Sequence, residues 1–146
     1  MIGLRNFTYE DIEVLKQHGY GNLSGNEMKE LIGTWNKKEH TGKYFEMFAA
    51  IDGVVVGFVS LYQLSESIIS CGPEIFPENR RKGYGFKAVS EALKIAKSRG
   101  YKVAMAQIRT DNIPSIALHK KLGFETEGSE YINKKGNTVV IYLKYL

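Results

Sequence analysis

Cysteine is almost missing from this sequence: Cys71 is the only one in 146 residues, which excludes an intramolecular disulfide and any cysteine-rich metal site. The three histidines, at positions 18, 40 and 119, have no metal-ligand spacing, so no metal is expected. No apolar run is long enough to span a bilayer. Arg5, Glu10, Asp11, Glu13 and Lys16 interrupt the stretch from Met1 to Gly19, so neither a membrane anchor nor a cleaved leader is expected. Strong charge of one sign is also lacking. A net charge of +4 and a pI near 9.1 suit a small polyanion and are too weak to imply nucleic acid unless the charge is clustered. Repeats, linkers and low-complexity segments are absent. With 43% hydrophobic residues the chain can bury one good core, so residues 1–146 read as a single soluble, cytoplasmic domain. Lone cysteines are usually buried packing residues, and Cys71 reads as one.

What is present is a glycine-bearing basic turn, IFPENRRKGYGFKAV, from Ile75 to Val89. Phe86, Val89, Leu93 and Ala96 recur at helical spacing after it, with Lys87, Glu91 and Lys94 on the other face, so a helix begins near Gly83 and ends near Gly100. A helix N-terminus exposes unpaired N–H groups and carries partial positive charge, which repels nearby cations by roughly 0.3 to 1 kcal/mol each. Yet Arg80, Arg81 and Lys82 crowd this one, and Glu78 offsets only part of that. The arrangement makes sense if a polyanion such as a pyrophosphate occupies the turn, with Gly83 and Gly85 letting the backbone approach closely. The alternative is a solvated basic loop. The chain lacks both G-x-x-x-x-G-K-[ST] and G-x-G-x-x-G.

The remaining pattern alternates helix and strand signals. Ile2 to Asn6 reads as a strand, followed by a helix capped by Thr8 and Asp11 and running to about His18. Ser24 with Glu27 forms a second capping box, ahead of the apolar stripe Met28, Leu31, Ile32 and Trp35. Tyr44 to Ile51 and Val54 to Tyr62 read as strands joined by Asp52-Gly53, a hairpin signal. Ser67 to Phe76 is the next strand. Its Gly72-Pro73 predicts a bulge or a splayed edge, because proline removes a ladder donor. After the basic turn and its helix come a strand from Lys102 to Ile108 and a helix capped by Asp111 or Asn112, with Pro114 in its first turn. Asn112, Ser115 and His119 fall on one face of that helix. A hairpin around Lys135-Gly136 closes the chain. The order is that of an α/β protein with a mixed sheet and four helices.

Two of these segments together resemble a family. The R-x-x-G-x-G of Arg80, Gly83 and Gly85 is similar to motif A of the GCN5-related N-acetyltransferase (GNAT) superfamily, and N-x-x-S-x-x-x-H-x-x-x-G-F from Asn112 to Phe124 is similar to its motif B. The resemblance implies a central, mostly antiparallel sheet whose fourth and fifth strands in chain order splay apart. It implies acetyl transfer from acetyl-CoA to a primary amine of a small molecule or protein N-terminus, by direct attack in a ternary complex without metal. By matched position, Arg80, Arg81, Lys82, Gly83, Tyr84 and Gly85 would hold the CoA pyrophosphate. Main-chain groups near Ile75 would pair with pantetheine and stabilise the oxyanion, and Asn112 and Ser115 would lie on the pantetheine side. A homodimer would pair through the terminal hairpin or a sheet edge.

Two positions depart from the family pattern. His119 stands where the family commonly has the tyrosine that protonates the leaving thiolate; it can donate a proton itself, or Tyr84, Tyr62 or Tyr142 serves instead. Ile68 and Ile69 stand where many members place a glutamate base, leaving Glu66 and Glu74 as the nearest carboxylates. Tyr20, Tyr44, Phe45 and Tyr62 are candidates for the acceptor pocket. The rival reading keeps the fold without the chemistry: a CoA-binding sensor or interaction domain.

Overall fold

The computed structural model describes every residue from Met1 to Leu146. Its strands are β1 (Gly3–Asn6), β2 (Glu39–His40), β3 (Lys43–Asp52), β4 (Val54–Gln63), β5 (Ile68–Ile75), β6 (Val103–Arg109), β7 (Glu130–Ile132) and β8 (Thr138–Tyr145). The helices are α1 (Ile12–Lys16), α2 (Gly25–Trp35), α3 (Tyr84–Ser98) and α4 (Ile113–Lys121). The sheet runs β1-β3-β4-β5-β6-β8-β7, with β2 added beside β3. Only β5 and β6 pair in parallel, and α3 is the crossover that such a same-direction pair requires. No helix is long and apolar enough to cross a membrane.

Both faces of the sheet are covered near β3 and β4, which is why those strands read as nearly unbroken apolar runs. On one face Phe48, Ala50, Val59 and Leu61 pack with Ile69, Cys71 and the buried stripe of α3, including Val89, Ala92 and Ala96. On the other, Met47 and Ala49 meet Phe7, Leu15 and the α2 residues Met28, Ile32 and Trp35. The exception in β3 is Glu46, a buried carboxylate bonded to Tyr44 Oη (2.6 Å), Asn6 Nδ2 (2.9 Å) and Arg99 Nη2 (3.0 Å). It clamps β1 and the end of α3 to the sheet.

Local capping follows the sequence closely. Ser24 Oγ accepts from Glu27 N (3.1 Å) while Glu27 Oε1 accepts from Ser24 N (2.9 Å), a reciprocal box that starts α2. The first helix differs from expectation. It opens with a 3-10 turn, Tyr9–Asp11, and its α segment stops at Lys16, short of His18. Asp11 takes the Thr8 N–H and is also held by both terminal nitrogens of Arg5 (2.8 and 2.9 Å), so the first turn is anchored to β1.

The Gly72-Pro73 signal resolves as a splay without a bulge. Pairing with β4 passes through Gly72 and Pro73 in unbroken register, whereas pairing with β6 stops at Ser70. The bulge lies on β4 itself: Ala50 opposes Gly57 and Ile51 opposes Val55, so Val56 is the extra residue. Val56 O accepts from Phe76 N (3.0 Å), and Ser67 O accepts from Val103 N on β6 (3.1 Å). Backbone polar groups alternate sides along a strand, so both bonds set the same phase: odd-numbered residues of β5 address β6. Pro73 therefore sits where its missing N–H costs no bond, and Ile75 turns its N–H into the gap left by β6.

Candidate active site

Gly57 decides where the Ile75 end of β5 lies. A Cβ on Gly57 would fall 2.3 Å from Glu74 O and 2.8 Å from Ile75 Cα, distances that bonded neighbours alone could tolerate. The absence of a side chain lets the 74–75 peptide close on β4 and aims Ile75 N–H at the cleft. A lone glycine in a strand signals close backbone approach, and that signal was available in the sequence.

Downstream, Pro77–Asn79 forms a 3-10 turn and the chain enters α3 through two left-handed residues, Arg81 (φ 65°) and Gly83 (φ 78°). Left-handed φ costs a non-glycine residue of order 1 to 3 kcal/mol, and such strain gathers at functional sites. The N-terminus of α3 has no side-chain cap and no acidic residue in its first turn. The first helical bond is Lys87 N to Gly83 O, so the preceding N–H groups are open to a ligand. The nearby acids are engaged elsewhere: Asp52 accepts from Tyr84 Oη (2.6 Å), and Glu78 pairs with His18 Nε2. Glu74 meets Arg80 Nη2 (3.2 Å), whose Nε also donates to Ile75 O (2.9 Å). The 15-residue α3 thus starts uncapped, directly after Arg80, Arg81 and Lys82 in the chain, an arrangement that can take an anion. Tyr84 turns its side chain back to the β3–β4 hairpin, so only its main chain is at the start of the helix.

Motif B meets this turn from the other side. The point that a Gly85 Cβ would occupy lies 3.6 Å from Leu118 Cδ2 on α4 and 3.9 Å from Ile75 Cγ1 on β5, so α4, α3 and β5 converge there. Asn112 caps α4 by accepting from Ser115 N (3.2 Å), which leaves its amide N–H groups for a ligand. His119, on the same helix face as Asn112 and Ser115, is buried rather than solvated. It is only 4% exposed, meets Phe124 edge-on with ring centroids 4.9 Å apart, and donates from Nδ1 to Ser115 O (2.8 Å). With Nδ1–H so committed, Nε2 is the only nitrogen from which His119 could give a proton to a leaving group.

The remaining expected groups separate clearly. Cys71 is buried, and burial pushes its thiol up to about 12, so it stays protonated and packs in the core. Tyr142 is likewise a core residue. Tyr62 lies on the opposite face beside Phe45 and His40. Glu66 stands in the β4–β5 turn, at the far end of β5 from Ile75 and on the order of 25 Å along the strand; the structure does not bring it to the cleft. Glu74, next to Ile75 on β5, lines a cavity of about 610 Å³ with Gln17, His18, Phe76 and Glu78.

His18 is the member of that cavity that sequence reading missed. Its ring stacks on Phe76 (centroids 3.7 Å apart, planes 9° apart) and its Nδ1 donates to Val14 O (2.7 Å). Burial alone would favour losing the imidazolium proton. The bonds to the Val14 carbonyl and the Glu78 carboxylate outweigh it and hold the ring above its ordinary pKa of 6.5.

With this geometry established, the comparisons are consistent. The chain belongs to the acetyltransferase (GNAT) family, whose sequence profile matches residues 9–124. It is 37% identical over 51 residues to an L-methionine sulfoximine/L-methionine sulfone acetyltransferase of Pseudomonas paraeruginosa, a match covering 35% of this chain and only 30% of that relative. Its fold is similar to a spermidine N-acetyltransferase from Vibrio cholerae in complex with CoA and spermine (TM-score 0.76, 19% identity, 99% of this chain and 95% of that one). It is also similar to a ribosomal L7/L12 alpha-N-protein acetyltransferase (TM-score 0.79, 18% identity, 99% and 90%). The sheet with its splayed β5 and β6 is thus the GNAT fold.

Proposed function

We propose that this protein transfers the acetyl group of acetyl-CoA to a primary amine of a small molecule or protein N-terminus, by direct attack in a ternary complex. The observation that carries the reading is the uncapped N-terminus of α3 among Arg80, Arg81 and Lys82, continuous with the Ile75 N–H in the β5–β6 gap. The turn would hold the diphosphate. Ile75 N–H would meet the thioester carbonyl where negative charge develops, and Asn112 and Ser115 would flank the pantetheine. Holding both reactants in one cleft supplies much of the rate. A CoA-complexed relative with spermine and a relative acting on an alpha-N-protein terminus support amine chemistry on this fold.

The decisive assay is acetyl-CoA-dependent thiol release across a panel of amines; CoA binding without turnover would favour the sensor reading. The acceptor ranking is a further test. No strong unpaired carboxylate stands at the splay, because Glu74 is countered by Arg80. A lysine-type amine with a pKa of about 10.4 is neutral in about one molecule in a thousand at pH 7.4, a cost of about 4 kcal/mol, against under about 1 kcal/mol for an α-amine near 7.8. We expect kcat/KM for an α-amine to exceed that for a matched ε-amine; the reverse order would refute this.

A further inference from the structure

We propose that Glu78 and His18 form the proton-accepting pair for the amine, with Glu78 touching the acceptor in the cavity on the α1 side of β5 and His18 holding the proton. The proposal rests on the acetyl-transfer reading above and supplies the base that Ile68 and Ile69 leave missing.

Four observations converge on it. The cavity lies at the Ile75 end of β5, where Glu74 and Phe76, the residues on either side of Ile75 in sequence, line it. Glu78 has a side chain 57% exposed, whereas that of His18 is 14% exposed behind it; an amine entering the cavity meets the carboxylate first. The ring cannot rotate freely, being stacked on Phe76 and tied through Nδ1–H to Val14 O. With Nδ1–H given to Val14 O, the proton that the ring gains or loses is the one on Nε2, so the Nε2–Glu78 contact is the proton-loaded form of the pair and loss of that proton makes it a base.

The step balances. As the amine nitrogen bonds to the acetyl carbon and the carbon–sulfur bond breaks, the amine proton passes to the Glu78 carboxylate and comes to rest on Nε2 of neutral His18. The imidazolium beside the carboxylate is left as an ion pair, and the CoA thiolate leaves with the bonding electrons. Two charged side chains bear on the pair from the surrounding elements. Glu74 of β5 lines the same cavity, and Arg80 acts on Glu78 from the cofactor turn. Glu74 is less suited to the task because Arg80 Nη2 lies 3.2 Å from it.

The pair works as a base only when His18 is neutral. Because the ring is held above 6.5 in the folded protein, kcat/KM for the amine should fall on acidification, with a midpoint above that value. The test is the pH–rate profile of wild type, His18→Gln, Glu78→Gln and Glu74→Gln on the first amine that turns over. Expected for His18→Gln is an acidic limb reduced to the single ionisation of the amine itself, a fall of about a hundredfold in kcat, an unchanged KM for acetyl-CoA, and partial rescue by added imidazole. For Glu78→Gln the limb should move to lower pH. An intact limb in His18→Gln, a limb lost only in Glu74→Gln, or a rise in KM for acetyl-CoA at constant kcat would each overturn the proposal; the last would make the pair a brace for the cofactor turn. If wild type acetylates no amine, the transfer reading itself fails. If wild type is active and His18→Gln matches it, the pair alone fails.

Discussion

Gly57→Ala is expected to lower kcat/KM for acetyl-CoA about a hundredfold, although residue 57 would touch no substrate. The added methyl would sit 2.3 Å from Glu74 O and 2.8 Å from Ile75 Cα. Both are backbone atoms that cannot swing aside, so β5 must move off β4 at the point where Ile75 N–H faces the cleft. Overpacking of this kind costs about 1 to 3 kcal/mol of stability, and misplacing a reacting group by about 1 Å can cost about a hundredfold in rate. Gly72→Ala is the control on the same strand: its Cβ would meet only Ser60 Oγ, at 3.5 Å, and it should leave the rate within about threefold, since that is ordinary contact. Steady-state kinetics beside urea denaturation separates the two effects. A Gly57→Ala protein that stays folded and keeps full kcat/KM would show that the position of the 74–75 peptide is not critical.

His119→Ala is expected to lower kcat by about a hundredfold or more, the scale of a lost general acid, while KM for acetyl-CoA stays within about threefold. With Nδ1–H bound to Ser115 O, the proton given to a departing thiolate must leave from Nε2, which requires the ring to be doubly protonated at that moment. Alanine also removes the contact with Phe124, so His119→Gln, which retains more of the volume, should be measured alongside. An unchanged rate and pH profile in both variants would remove the histidine from the mechanism. Tyr84 is a poor substitute: its hydroxyl donates to Asp52, and that bond raises its pKa above the ordinary tyrosine value.

Features set by neighbours in sequence were legible in advance. Ser24 and Glu27 lie three positions apart and cap the same turn; Asn112 and Pro114 open α4; Arg80, Gly83 and Gly85 shape one continuous turn. Features that depend on which strand lies alongside were not. Gly72-Pro73 announces a missing ladder donor without saying whether β4 or β6 is the neighbour that goes unpaired, and the actual bulge arose at Val56, an apolar residue among apolar residues. The spacing of Asn112, Ser115 and His119 identified a shared helix face, but periodicity does not tell a solvated face from one packed on Phe124. The pairs His18–Glu78 and Arg99–Glu46 join residues 60 and 53 positions apart, separations at which spacing carries no signal. Glu66 illustrates the converse: nearness in sequence to β5 placed it among the candidates, and the direction of the strand carries it away from Ile75.

The claim on which the others depend is that the open N–H groups before Lys87, with Arg80, Arg81 and Lys82, hold the diphosphate of coenzyme A. Titration calorimetry of the wild-type protein with CoA, and separately with pantetheine, tests it directly. Expected is a CoA Kd on the order of micromolar, equivalent to about −8 kcal/mol, with pantetheine, which carries no diphosphate, weaker by at least about a hundredfold. No heat with CoA, or equal affinity for the two ligands, would contradict it.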